Sequence, residues 1–258
     1  MKTFCVAVVV LSLISVCQAA SLACQKLMKP VDKDPDISGT WHYIAVSTEH
    51  CWSTTLLNVF FWPSAAVDIT AKGTPNIYDA NVKIKMYGMC NNESESFHYA
   101  NHNVFNIDSN NAPTGEADVL LQTGCPDCLV VKGVDILNTL TLFSKDNRGT
   151  QSGNIMSSHG LYLRCVTSSP GRRKSVDAAE LKEFETQAQC LGWSKPLVLS
   201  TDHDYENCIS VDDSDIDEAA ATTFFTKMYE RVKSMHHKVT ECIKDTFLAY
   251  LPTSIFQK

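Results

Sequence analysis

The stretch Ile37-Ser38-Gly39-Thr40-Trp41-His42-Tyr43-Ile44-Ala45 opens the ordered pattern of this chain. From Gly39 to Ser47 the residues alternate, with Trp41, Tyr43, Ala45 and Ser47 on one face, which is the period of a half-buried β-strand. The same period returns downstream. Val67 and Ile69 alternate with Asp68 and Thr70, and Val82, Ile84 and Met86 alternate with Lys83, Lys85 and Tyr87. Further strands are expected at 97–106, 117–123, 128–134, 138–144 and 155–165. Turn residues at 73–76, 110–115 and 146–149 separate several of them. Eight short strands joined by turns predict an all-β, eight-stranded antiparallel up-and-down barrel, although a two-sheet sandwich shares that periodicity.

Upstream, Lys2 precedes an apolar run from Phe4 to Val16, followed by Ala19 and Ala20. This reads as a secretory signal peptide over residues 1–20, and the run is too short for a membrane span. The expected compartment is extracellular. The chain holds 22 Lys and Arg against 29 Asp and Glu, and no basic patch dense enough for nucleic acid stands out. Of its 11 cysteines, Cys5 and Cys17 fall in the leader. The others are expected as disulfides in an oxidising compartment. Cys24, Cys51, Cys90, Cys125, Cys128, Cys165, Cys190 and Cys208 allow four bridges in any of 105 connectivities, with Cys242 left over in the tail. Cys125-Pro126-Asp127-Cys128 also has the spacing of a redox motif or zinc half-site, but a second half is missing and no metal site is expected.

After residue 166 the period changes. Ser175 is a candidate helix cap, Leu181, Phe184, Ala188 and Leu191 recur at helical spacing, and Gly192 stops the helix. Residues 195–200 read as one more short strand. The domain reading is then a barrel domain over 21–210, an acidic linker over 211–222 and a helical tail over 223–258. The tail is amphipathic, with Phe224, Phe225, Met228, Tyr229, Val232 and Met235 among its apolar residues and Lys227, Arg231 and Lys233 among its basic ones. Such a helix suits packing on the barrel or on another subunit. A second reading is a lipoprotein or membrane surface bound through residues 223–248.

Gly39-x-Trp41 with Arg164 at the end of a late strand resembles the lipocalin signature. More specifically, Asp36 to Thr48, Trp62-Pro63-Ser64-Ala65-Ala66-Val67-Asp68-Ile69-Thr70, Asn110 to Gly115 and Leu120 to Val131 resemble the fish tributyltin-binding proteins. Their relatives are the saxitoxin- and tetrodotoxin-binding proteins, and the group is similar to apolipoprotein M and α1-acid glycoprotein. The resemblance spans roughly residues 24 to 208. It implies an eight-stranded lipocalin barrel with a flanking helix and a ninth strand. It also implies a Trp41 plug crossed by Arg164, and bridges Cys24–Cys165 and Cys90–Cys190. The implied function is a non-enzymatic plasma carrier of a small hydrophobic or amphiphilic ligand, a xenobiotic or toxin such as an organotin or a guanidinium toxin, with no cofactor.

Within that frame the candidate ligand-binding residues are Tyr43, Val67, Ile69, Val82, Ile84 and Met86 on the inner wall, with Trp52, Phe60 and Trp62 in the loop over the mouth. Each aliphatic is equally an ordinary core residue; Tyr43 adds a hydroxyl that can bind a ligand. A guanidinium ligand needs a carboxylate, but Asp68 is expected on the outer face. A metal-containing ligand needs a soft donor or imidazole, for which His42, His98 and His102 are candidates. The one catalytic route is a thiol-dependent isomerase, in the manner of a prostaglandin D synthase, using a free Cys51, against which stands its expected disulfide. Asn92-Glu93-Ser94 is a glycosylation sequon, expected in a polar turn.

Overall fold

The structure is a computed structural model, and it describes residues 22–58, 63–134, 138–146, 176–210 and 218–250. A short helix α1 over residues 22–27 precedes the sheet. The strands are β1 (Gly39–Thr48), β2 (Ser64–Ala71), β3 (Ile77–Met86), β4 (Met89–Ala100), β5 (Asn103–Ile107), β6 (Pro113–Leu121), β7 (Cys128–Gly133) and β8 (Thr139–Lys145). Helix α2 (Cys51–Leu56) lies in the β1–β2 connection. After β8 come α3 (Ala178–Cys190), β9 (Leu197–Val198), β10 (Ile209–Ser210) and the long α4 (Glu218–Tyr250). Successive strands from β1 to β8 pair antiparallel, and β1 pairs with β8, so the sheet closes on itself as an up-and-down barrel.

The strand count was expected, but its composition is different. The expected strand 97–106 is the end of β4 and all of β5, joined by a two-residue turn in which Asn101 and His102 take φ of 52° and 59°. A hairpin with both central residues at positive φ needs no glycine when the side chain tolerates it, so the break was hidden. The turn Tyr87-Gly88 between β3 and β4 is of the same kind. The barrel therefore closes at β8, without the strand expected at 155–165, which lies outside the described residues with Arg164 and Cys165.

Trp41 is 3% exposed at the closed end, and its indole Nε1 donates to the Ile37 carbonyl at 2.8 Å. The cation over its ring is Lys145, 5.2 Å from the centroid, from the residue that pairs with Trp41 across β1 and β8. Gly39 has φ of +112°, and a Cβ there would sit 3.4 Å from Lys145 Cε. The glycine two before the tryptophan thus frees both the backbone and the path of the lysine. The N-terminal segment crosses the same end. Val31 N–H donates to Leu120 O, Gln122 N–H to Lys29 O, and Asp34 accepts from the N–H groups of Asn101 and His102.

Outside the barrel, α3 lays Phe184 and Ala188 on Ala45, Leu121, Val130, Leu140 and Leu142. Asp177, not Ser175, caps it, in a reciprocal capping box with Glu180. Gly192 ends it at φ 72° as expected. Strand β9 pairs with β1 at Ala45–Val46, beyond the stretch Gly39–His42 where β2 pairs. Helix α4 begins at Glu218, five residues inside the expected linker.

The bridges are Cys24–Cys190, Cys51–Cys242, Cys90–Cys208 and Cys125–Cys128. The implied pairs Cys24–Cys165 and Cys90–Cys190 are corrected, and Cys242 is not left over. Cys190 ends α3 beside α1, whereas Cys90 starts β4 next to β10, where Cys208 passes. Partners so far apart in sequence are set by tertiary packing rather than by spacing.

Truncating the plug, Trp41→Ala, is expected to cost about 3–5 kcal/mol, as for a buried aromatic. A melting temperature within error of the parent chain would show that the barrel does not depend on it. Peptide mapping without reduction should recover the Cys51–Cys242 and Cys90–Cys208 cross-links; recovery of Cys90 linked to Cys190 would overturn this connectivity.

Candidate functional site

The barrel has two apolar faces with different packing. The outer cluster beneath α3 is almost wholly buried. On the inner face, Trp41, Val67, Tyr99, Leu120 and Leu129 are buried, but Tyr43, Ile69, Tyr78, Val82, Phe97, Val131 and Phe143 are only partly so. Register explains the inner set: Trp41 pairs with Val67, Val67 with Val82, Tyr78 with Phe97, Leu120 with Val131, and Tyr43 with Phe143. Each pair shares a face of the sheet, so one continuous wall runs around the barrel.

Tyr43, Val67, Ile69 and Val82 meet in this wall, and Ile84 and Met86 follow Val82 on the same face of β3. Ala45 and Ser47, expected inward by alternation, are not. A bulge between Tyr43 and Ala45 shifts the register against β8 and turns both outward. Ala45 packs under α3, and the Ser47 hydroxyl donates to Ser194 O at 2.6 Å. Val46 instead joins Leu197, Leu199, Leu57 and Tyr43 near the open end. Trp52 is 45% exposed on α2, with its ring near-parallel to His50, and is not part of the inner cluster. Phe60 and Trp62 lie outside the described residues.

Periodicity missed the polar side of the wall. Glu93 pairs with Val82 and Glu95 with Ala80, so both carboxylates belong to the inner face of β4. Within sequence alone, β4 was obscured because the polar run from Asn91 to Ser96 separates Met89 and Cys90 from Phe97. Asp68 is outside, as expected, bonded to Thr40 and Lys83. Asn92 is exposed within β4 rather than in a turn, because the hairpin turns at Tyr87-Gly88.

None of the histidines considered as metal donors belongs to this wall. His42 is fully buried on the outer face, with Nε2 3.1 Å from Asp146 Oδ2 and its ring 4.2 Å from that of His203. His98 is one residue out of phase with Phe97 and Tyr99, and His102 sits in the β4–β5 turn. Cys51 is bonded to Cys242, which removes the free thiol that an isomerase would need. Cys125 and Cys128 approach Glu180, but as a disulfide they offer no thiolate to a metal.

Segment 200–208 straps the outside of β2 and β3. Ser64 Oγ bonds His203 Nδ1 and Tyr205 Oη, and Lys85 Nζ donates to Asp202 Oδ1 and Asp204 O. It leads to α4, where Phe224 meets Tyr87 edge-on and Cys242 returns to α2. Together α2, α4 and residues 194–201 line a half-open pocket of about 870 Å³, separate from the inner wall.

Burial, and then the negative charge of Glu95, push the Tyr43 hydroxyl up to about 12. Burial likewise raises the Tyr99 hydroxyl, with Asp34 and Tyr78 adding to it.

No protein-family model matches the chain, and no curated protein sequence matches it. Solved structures are similar in part. The siderocalin Ex-FABP, described as functioning through dual ligand specificities, is 12% identical with a TM-score of 0.41, over 64% of this chain and 94% of that one. A dog lipocalin allergen is 16% identical with a TM-score of 0.37, over 66% of this chain and 97% of that one. The fold itself rests on the strand pairing: a closed eight-stranded antiparallel barrel with a flanking helix and a short ninth strand, the lipocalin architecture.

The raised Tyr43 has a consequence for alkaline stability. Its folded pKa lies above the unfolded value, so its contribution is complete below pH 10 and is lost as pH rises toward about 12. Tyr43→Phe should make the fall in unfolding free energy across that window shallower. An unchanged slope would show that Tyr43 ionises as freely in the folded chain as in the unfolded one.

Proposed function

We propose that this chain is a secreted carrier that holds one small hydrophobic or amphiphilic ligand, a xenobiotic or toxin in plasma, reversibly inside the barrel and without turnover. One observation carries the reading: inward rings and aliphatic chains stay partly uncovered while the outer cluster is closed over by α3. Protein cores are packed to crystal-like density, so apolar surface left open on the inside of a closed barrel is surface for a guest. Ligand pockets are mostly apolar with a few polar groups, which matches Tyr43, Phe143 and the β4 glutamates. Four disulfides among the described residues suit an oxidising compartment. No described helix is long and apolar enough to cross a membrane. An organotin is the less favoured guest, since the described inner wall offers no thiolate or imidazole to tin.

The lipid-surface reading keeps one supporting observation. Phe225 and Tyr229 are 60% and 63% exposed on one face of α4, although Phe224 and Cys242 are already engaged by the barrel. A chain ending before α4 that still floated with lipid particles would remove that role from the tail.

The carrier reading is tested by titrating an apolar dye and following tryptophan quenching. Saturable, competable, one-to-one quenching is expected. Tyr43→Ala should weaken binding about ten-fold, the loss of roughly one good aromatic contact, while altering the melting temperature little. Quenching without saturation, and without competition by any second ligand, would count against a carrier.

A further inference from the structure

We propose that the outward face of α4 is a dimerisation surface for a second copy of this chain, the two helices packing antiparallel about a two-fold axis between Phe225 and Tyr229. The inference is independent of the carrier reading, because it uses none of the barrel interior.

Helix α4 has two distinct sides. One faces the rest of the chain. There Phe224 meets Tyr87 edge-on, Arg231 donates to Asn58 O, Met235 lines the pocket shared with α2, and Cys242 is bonded to Cys51. Those four positions recur at helical spacing, so they define the inward face. The other side looks away from the barrel. Glu218, Thr222, Phe225, Tyr229 and Lys233 follow one another at steps of three or four residues, which makes them one stripe, and each of them is exposed. The two rings are the large apolar groups that α4 leaves in solvent, at 60% and 63% exposure. Glu218, Ala221, Thr222, Phe225, Thr226 and Tyr229 line a shallow hollow of about 410 Å³ on this side, wide enough for a ring from a neighbour.

The stripe is complementary to itself when two copies run antiparallel. It starts with an acid, Glu218, carries its rings in the middle and ends with a base, Lys233. A two-fold axis repeats every contact, so Phe225 against Tyr229 of the second copy occurs twice. In that register Glu218 is offset from Lys233 of the second copy by three residues, about 4.5 Å along the axis at the helical rise. The flexible four-carbon stem of a lysine spans such an offset. Parallel packing would instead set Glu218 beside Glu218 and Lys233 beside Lys233, with repulsion at both ends.

What flanks the rings favours a helix over a lipid surface as the occupant. A helix that lies on anionic lipid presents a broad apolar face edged by Lys and Arg. Here the broader apolar side is turned inward and tied down by Cys51–Cys242, and the outward rings sit among Thr222, Thr226, Glu218 and Glu230. The size of the contact sets its strength. Rings that bury roughly 150–250 Å² each, two from either copy, give less than the roughly 1,600 Å² of a standard interface. The dimer is therefore a reversible one, with a dissociation constant on the order of 100 μM.

The experiment is analytical sedimentation of the full chain from about 10 μM to about 1 mM, a range that brackets this constant. A concentration-dependent dimer is expected. It should be lost in Phe225→Ser/Tyr229→Ser with the melting temperature unchanged, because both side chains are exposed. Reversing one end, by Glu218→Lys or separately by Lys233→Glu, should weaken the dimer about five- to ten-fold, since each change turns two exposed attractions into repulsions. Both reversals in one chain should restore the dimer, a rescue that neither lost folding nor general stickiness would give. A monomer throughout the range, a dimer that survives removal of both rings, or a double reversal that fails to rescue overturns the proposal. A chain that stays monomeric yet binds phosphatidylserine vesicles through the same two rings overturns it in favour of lipid.

Discussion

Closure of the barrel at its base is the constraint on which the rest depends. Strand β8 must meet β1 with Lys145 opposite Trp41, and the ring must lie flat enough for the ammonium to cross it. An open sheet would leave two unpaired edges, each a row of unmet backbone groups. The tryptophan fills the base, the lysine covers it, and Gly39 gives the lysine room. The segment from Lys29 to Ile37 then seals the end from below by hydrogen bonds to β6, the β4–β5 turn and the indole itself. With one end plugged this way, access to the interior is from the other.

A closed sheet of this size divides stability and binding between its two faces. The outer face, with α3 laid over β1, β7 and β8, is packed like an ordinary core and anchored by Cys24–Cys190 and by Gln187 Nε2 donating to Leu27 O and Gln122 O. The inner face is then free to stay incompletely filled, with the Tyr99 hydroxyl unmet among the described residues and the β4 glutamates exposed toward the open end. The buried hydroxyl of Tyr99, unmet among the described residues, is a cost that such a face carries.

The outline of this architecture was legible because alternation is a local property. Val67, Ile69, Val82, Ile84 and Met86 could be placed on one face from their spacing alone, and the helix over α3 from its period. What escaped was set by single residues or by distant partners. The bulge after Tyr43 reverses the parity of Ala45 and Ser47, yet nothing in the local pattern marks it. The turn at Asn101-His102 is too short and has no glycine to interrupt the reading, so the end of β4 and β5 merged and a later segment was enlisted as the eighth strand. Lys145 went unread as a cation over Trp41, since the search for a partner went to Arg164, which lies outside the described residues. The glutamates of β4 were overlooked because a run of polar residues looks like a loop until the register with β3 is known.

The C-terminal third adds a different kind of constraint at the open end. Cys90–Cys208 fixes the strap across β2 and β3, while Cys51–Cys242 brings α4 back to α2. A helix of this length held only by Phe224 on Tyr87 and a few polar contacts would swing freely; bonded at a point far along its length, it cannot. Each long-range cross-link also removes freedom from the unfolded chain, worth about 2–4 kcal/mol apiece. These two bridges lie at the mouth, where β1 leads into α2 and β3 turns into β4, while Cys125–Cys128 closes the β6–β7 turn at the base. The closed end combines packing around one tryptophan with the short Cys125–Cys128 bridge, and the open end relies on the two long-range cross-links.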